Sequence, residues 1–158
     1  MEGRVVGKVA GAVLAVLFFA APGWSGGAPD DRAALSGLRA VRAVVDLRAT
    51  DADRMVFNLD LLRETVEGLE AQKVKPRLVV SVRGPGVRLF TREAAKAGIA
   101  PRVAWLKGKG VRIEVCAVAV REFQVDASAL IPEVVLVGNG LNSLIGYQNR
   151  GYALVPLN

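Results

Sequence analysis

The segment "PRLVVSVRG", Pro76 to Gly84, constrains the fold more than any other: it is apolar nearly throughout, as a strand must be when both faces of its sheet are covered. Similar short β-branched runs follow at intervals, each separated by a stretch with helical patterning. Before it, "RAVVDLR" (Arg42 to Arg48) reads as a first strand. After it come "VRIEVCAV", "PEVVLVGNG" (Pro132 to Gly140) and the closing "GYALVPL". Parallel neighbours need crossover connections of about a dozen residues, so the alternation predicts a mostly parallel sheet of roughly five strands between two helical layers. This is a single-domain, three-layer α/β sandwich.

The longest intervening helix is the clearest. Met55, Leu59, Leu62, Val66 and Leu69 repeat at spacings of four and three, one apolar stripe, while Asp60, Arg63, Glu64, Glu67 and Glu70 occupy the other face. Thr50 and Asp53 stand at capping-box spacing before it. Asp51 and Asp53 are accordingly read as capping residues and not as a catalytic acid and base. "VRLFTREAAKAG" (Val87 to Gly98) reads as a helix stopped by glycine. A short helix in "PRVAWLKGK", helical potential in "REFQVDASAL" and a last helix in "LNSLIGYQNR" complete the pattern. Phe90 and Trp105 are expected in the core, with a subunit interface as the other place for Trp105.

The first 28 residues have the layout of a secretory signal: a cationic start at Arg4 and Lys8, an apolar run from Ala12 to Ala21, and small residues from Ser25 to Ala28. That run is about half the roughly 20 residues a spanning helix needs, so cleavage is preferred to a permanent anchor. The expected organisation is a signal at 1–28, a polar linker at 29–41 and the α/β domain at 42–158, in a periplasmic or otherwise exported protein. An uncleaved signal segment is the one expected route to a membrane. The formal charge of +6 is scattered among acids, without a basic run or interleaved aromatics, so nucleic acid is not expected as a partner.

Histidine is absent, which removes Ser-His-Asp and Cys-His nucleophilic pairs and the common zinc sites. The chain has one cysteine, Cys116, where an exported protein built on disulfides would carry an even set. No metal or other cofactor is therefore expected. Cys116 falls where a strand passes into a helix, so free backbone N–H groups favour its reactive thiolate, with Arg121 about a turn further on as a second source of positive charge. A buried apolar filler is the competing reading. The loops after the strands collect along one edge of such a sheet, which makes that edge the expected site. There "RGPGVR" offers Arg83, Gly84 and Gly86 as an anion-binding turn, with a plain tight turn as the alternative. In "GNG", read as a turn needing positive φ, Asn139 is a further pocket candidate.

These pieces, in this order, resemble the DsrE/DsrF-like family of small α/β proteins associated with sulfur transfer. The resemblance runs from about Arg42 to Pro156 and rests on Asn58 in "MVFNLDLL", on "VVSVRGPGVRLF", on "GVRIEVCAVAVREF" and on the ending "YQNRGYALVPL". Arg83 stands where the family's turn often has a histidine, and "REFQ" replaces a basic-glycine ending after the cysteine helix. The resemblance implies a flavodoxin-like, DsrE-like layout and assembly into a homo-oligomer, a trimer or hexamer. It carries the sulfur-binding role onto Cys116 alone. Two functions remain open from the sequence. One is an exported sulfur carrier that takes sulfane sulfur on Cys116 as a persulfide and exchanges it with a donor or acceptor protein. The other is a non-catalytic oligomeric module for a small anion or a protein partner, with Cys116 structural. A nucleotide-binding reading is suggested by the α/β layout alone, and a fold does not license it.

Overall fold

Five short apolar runs pair into one sheet, all parallel, in the order β4-β3-β2-β1-β5. In the computed structural model, which describes Gly3 and residues 29–158, the strands are β1 (Ala40–Leu47), β2 (Lys75–Val82), β3 (Arg112–Cys116), β4 (Val135–Val137) and β5 (Ala153–Leu157). The helices are α1 (Arg32–Leu35), α2 (Ala52–Ala71), α3 (Ile99–Gly108), α4 (Ala117–Glu122) and α5 (Gly140–Asn149). All of these belong to the compact unit Asp31–Asn158. Apart from Gly3, the expected signal segment lies outside the described residues. Among the described residues no helix is long and apolar enough to cross a membrane. The segment read as a linker contains α1 and the first two residues of β1.

The amphipathic stripe of α2 is buried along its whole length, at Met55, Leu59, Leu62, Val66 and Leu69. With Ile99, Val103 and Leu106 of α3 it covers the sheet face formed by Val45, Leu47, Leu78, Val80, Val82, Ile113 and Val115. Phe90 is fully buried in this core, and Trp105 packs at its margin under the Lys109 ammonium, 5.4 Å from the ring centroid. The cap of α2 is Asp51, one residue beyond the Thr50 that the pattern suggested, and its carboxylate accepts from Arg54 N at 2.8 Å.

The expected helix over Val87 to Gly98 is replaced by two 3₁₀ segments, Gly84–Phe90 and Ala94–Ala97. The break between them comes from a long-range pairing: Ile131 N donates to Phe90 O at 2.9 Å and Arg92 N to Ala129 O at 2.7 Å. "PRVAWLKGK" is helical as read, within α3.

The opposite sheet face is covered by α5, with Val44, Val79 and Leu144 as a small core beside Tyr147 and Tyr152. Two residues beyond Val44 and Val79 on the same face, Asp46, Ser81 and Glu114 stand in register across three adjacent strands, all buried. A polar row inside a parallel sheet must be satisfied locally. Asp46 is paired with Arg83; Glu114 accepts from Tyr147 Oη at 3.0 Å, from Ser143 Oγ and from Arg112 Nε at 2.7 Å. Ser81 Oγ has no partner among the described residues. β5 is an edge strand, which accommodates Pro156 opposite Asp46.

Candidate functional site

Cys116 is the last residue of β3 and the N-cap of α4. α4 packs Ala119 and Val120 into the core on the α2 side, whereas α5, which follows β4, leaves toward the other face. Neighbouring parallel strands whose helices depart to opposite faces open a crevice at their C-terminal ends. The crevice here has a volume of about 290 Å³ and is lined by Arg83, Gly84, Cys116, Val118, Ala119, Glu122, Phe123, Asn139 and Leu141.

The thiol forms part of that wall while remaining 5% exposed. Gly140 N donates to Sγ at 3.2 Å from the first turn of α5. The other neighbour is Arg83, immediately after the β2 residue Val82 that pairs with Val115, which brings it level with Cys116. A Cβ built on Gly140 would lie 3.2 Å from both Arg83 Cδ and Cys116 Cβ, so the three residues meet. Asp46 fixes the guanidinium through Nε at 2.7 Å and Nη2 at 2.6 Å. Hydrogen bonding to this carboxylate raises Arg83 above its ordinary value, burial opposes the rise, and the charges of Asp46 and Cys116 add to it. Arg83 is thus a permanent cation electrostatically coupled to the sulfur.

The structure gathers Cys116, Arg83, Gly84 and Asn139 around one crevice. It leaves out two residues expected there. Arg121 is paired with Glu122 at 3.0 Å on the exposed side of α4, its side chain 71% accessible. Five residues along a helix rotate a side chain by about 500°, which leaves Arg121 well away from the direction of Cys116. Gly86 is buried under the turn, where a Cβ would come within 2.1 Å of Ala49 O. It serves a close backbone approach and does not line the crevice. Gly84 has φ +68°, the conformation that favours glycine.

"GNG" also differs from the expected turn, because neither Gly138 nor Gly140 has positive φ. Asn139 is the N-cap of α5, its side chain accepting from Leu141 N at 2.9 Å, and Gly140 is required by the crowding just described. The sequence reading missed Asp46, inside a β-branched run, and the apolar wall of Val118, Phe123 and Leu141. The acid in "AVVDL" was the available signal, since a carboxylate in an apolar strand needs a partner.

The DsrE/DsrF-like family model matches residues 29–157, nearly all of the described chain. The chain belongs to the DsrE/DsrF-like family. No curated protein matches this DsrE/DsrF-like chain. Among solved structures it is similar to MTH1491 of Methanobacterium thermoautotrophicum, a protein of unknown function, at 24% identity and a TM-score of 0.63. It is also similar to the YchN protein of E. coli, at 14% identity and a TM-score of 0.57. Each likeness covers 73% of this chain and 98% of the other, and at these identities it shows the shared α/β fold alone.

Proposed function

We propose that the protein is a sulfur-relay carrier in which Cys116 accepts sulfane sulfur as a persulfide and passes it to a second thiol. The observation that supports this best is the position of Cys116 in an open crevice, with the Gly140 N–H on its sulfur and the Asp46-held Arg83 in the same wall. Loading begins with attack of the thiolate on a sulfane sulfur, forming one S–S bond while another breaks and a thiolate leaves. In unloading, the acceptor thiolate attacks the outer sulfur and Cys116 is released. A persulfide carries its negative charge on that outer sulfur, so a fixed cation and a wall of Val118, Phe123 and Leu141 suit an anion shielded from stray exchange.

The reading includes export to the periplasm or beyond, suggested by the first 28 residues, and a homo-oligomer exchanging sulfur with a donor or acceptor protein. The low exposure of Cys116 favours the other reading, a non-catalytic binding module with a structural thiol. Intact mass after incubation with polysulfide separates the two. A carrier gains the mass of one or more sulfur atoms, loses it to reductant, and gains nothing as the Cys116→Ser variant. A wild-type protein that stays unmodified and also resists a small alkylating reagent overturns the carrier reading.

A further inference from the structure

A second cavity, of about 500 Å³, adjoins the cysteine crevice, with Arg88, Arg92, Phe123 and Asp126 in its wall. Phe123 lines both cavities. It is the C-cap of α4, whose N-cap is Cys116, and seven residues at 1.5 Å per residue separate the two by about 10 Å along the helix. Arg88 lies over the Phe123 ring, 5.3 Å from its centroid, and its Nε donates to Phe123 O at 3.2 Å. Neither Nη of Arg88 has a hydrogen-bond partner among the described residues. Arg92 gives one Nη to Ser128 O at 2.6 Å and keeps the other.

Glu93 and Asp126 also line the cavity, but neither holds a guanidinium by a hydrogen bond. Asp126 accepts from Ser128 N and Oγ, at 2.8 and 2.7 Å, and Glu93 is paired with Lys96 at 2.6 Å. Two guanidiniums with unused donors in a concave wall suit an oxyanion, a carboxylate above all when the ligand must also carry sulfur.

We infer that this second cavity anchors a short carboxylate-bearing thiol persulfide, with its carboxylate on Arg88 and Arg92 and its sulfane sulfur at Cys116. The inference rests on the carrier reading and names its donor class. Phe123 supplies the apolar surface along which the middle of the ligand runs. In the step itself, the Cys116 thiolate attacks the outer sulfur of R–S–SH and forms the new S–S bond. The old S–S bond breaks, and RS⁻ leaves and takes the proton as RSH. No external oxidant or reductant is needed.

The test compares two donors on the full chain, glutathione persulfide, which carries carboxylates, and inorganic polysulfide, which does not. Labelling of Cys116 is followed by intact mass in the wild type and in an Arg88→Gln, Arg92→Gln double variant. The expected result is about a tenfold slower labelling of the variant by limiting glutathione persulfide and an unchanged rate with polysulfide, which also shows that the variant is folded. S-methylglutathione, which cannot react, should bind the wild type and bind the variant at least about tenfold more weakly. Equal rates with both donors in both proteins overturn the subsite and leave the carrier reading standing. Labelling by neither donor overturns the carrier reading and the inference with it.

Discussion

Asp46 grips Arg83 at two points, Nε at 2.7 Å and Nη2 at 2.6 Å, and so fixes the guanidinium of a residue whose aliphatic stem meets Cys116 at Gly140. The Asp46 side chain is 9% exposed and the Arg83 side chain 22%, so breaking the pair leaves a largely desolvated cation. Asp46→Ala should lower the unfolding free energy by about 2–3 kcal/mol. Urea denaturation measures this as a lower midpoint with an unchanged slope. A midpoint within experimental error of the wild type would show that the clasp contributes nothing to the fold.

The two arginines near the cysteine in sequence should behave differently. Arg83→Gln removes the cation that shares the crevice wall with Cys116 and should slow iodoacetamide alkylation of Cys116 about fivefold, the equivalent of about 1 kcal/mol for a partly exposed charge. Arg121→Gln should leave the rate unchanged, because Arg121 is solvent-exposed and engaged with Glu122. Comparable slowing in both variants would mean that net charge, and not placement, governs the thiol.

Three glycines separate three physical demands. Gly86→Ala drives a Cβ to within 2.1 Å of the Ala49 carbonyl, a backbone atom that cannot swing aside, and should cost about 3 kcal/mol or more. Gly84→Ala meets open space and should cost about 1–2 kcal/mol through its φ of +68°. Gly140→Ala presses on Arg83 and Cys116 at 3.2 Å, so it should alter alkylation more than stability. Denaturation curves and alkylation rates on the three variants test the ordering.

Tyr147 is raised above its ordinary value of 10.0, chiefly by burial and then by the charge of Glu114, whose carboxylate accepts its hydroxyl hydrogen bond. A group that holds its proton more tightly when folded contributes stability that is complete below pH 10 and is lost as the pH rises through the folded value. Phenolate absorbance should therefore show a component delayed beyond pH 10 that Tyr147→Phe removes. A Tyr147→Phe variant that keeps the delayed component would reassign it.

Asp60 has the opposite sign. Its two hydrogen bonds from Arg102, at 2.9 and 2.8 Å, lower it below its ordinary value of 3.8, with burial opposing and the charges of Arg102 and Arg63 helping. Its contribution is present above pH 3.8 and is lost as the pH falls through the folded value. A carboxylate NMR titration should place Asp60 low in the wild type and return it toward 3.8 in Arg102→Gln.

Local pattern was enough for the layers of this protein. The stripe from Met55 to Leu69 faces the sheet as its helical period requires, and the runs of β1 and β2 are apolar because α2, α3 and α5 cover both faces there. The junction at Cys116 was equally legible, since a β-branched run passing into "CAVAV" marks the end of a strand. What tertiary structure decided was which side chains meet there. Arg83 reaches Cys116 through the register of β2 with β3, and Asp46 reaches Arg83 from β1, 37 residues away in sequence. Arg121, five residues from Cys116, points elsewhere because helical rotation carried it round. Segment Phe90 to Arg92 gave up its helix for hydrogen bonds to residues 129–131, a partner that no local window contains. Periodicity is a property of neighbours along the chain, and so it was written in the sequence. Register and crevice depend on strands far apart in the chain coming to lie at the same level, and that required the assembled sheet.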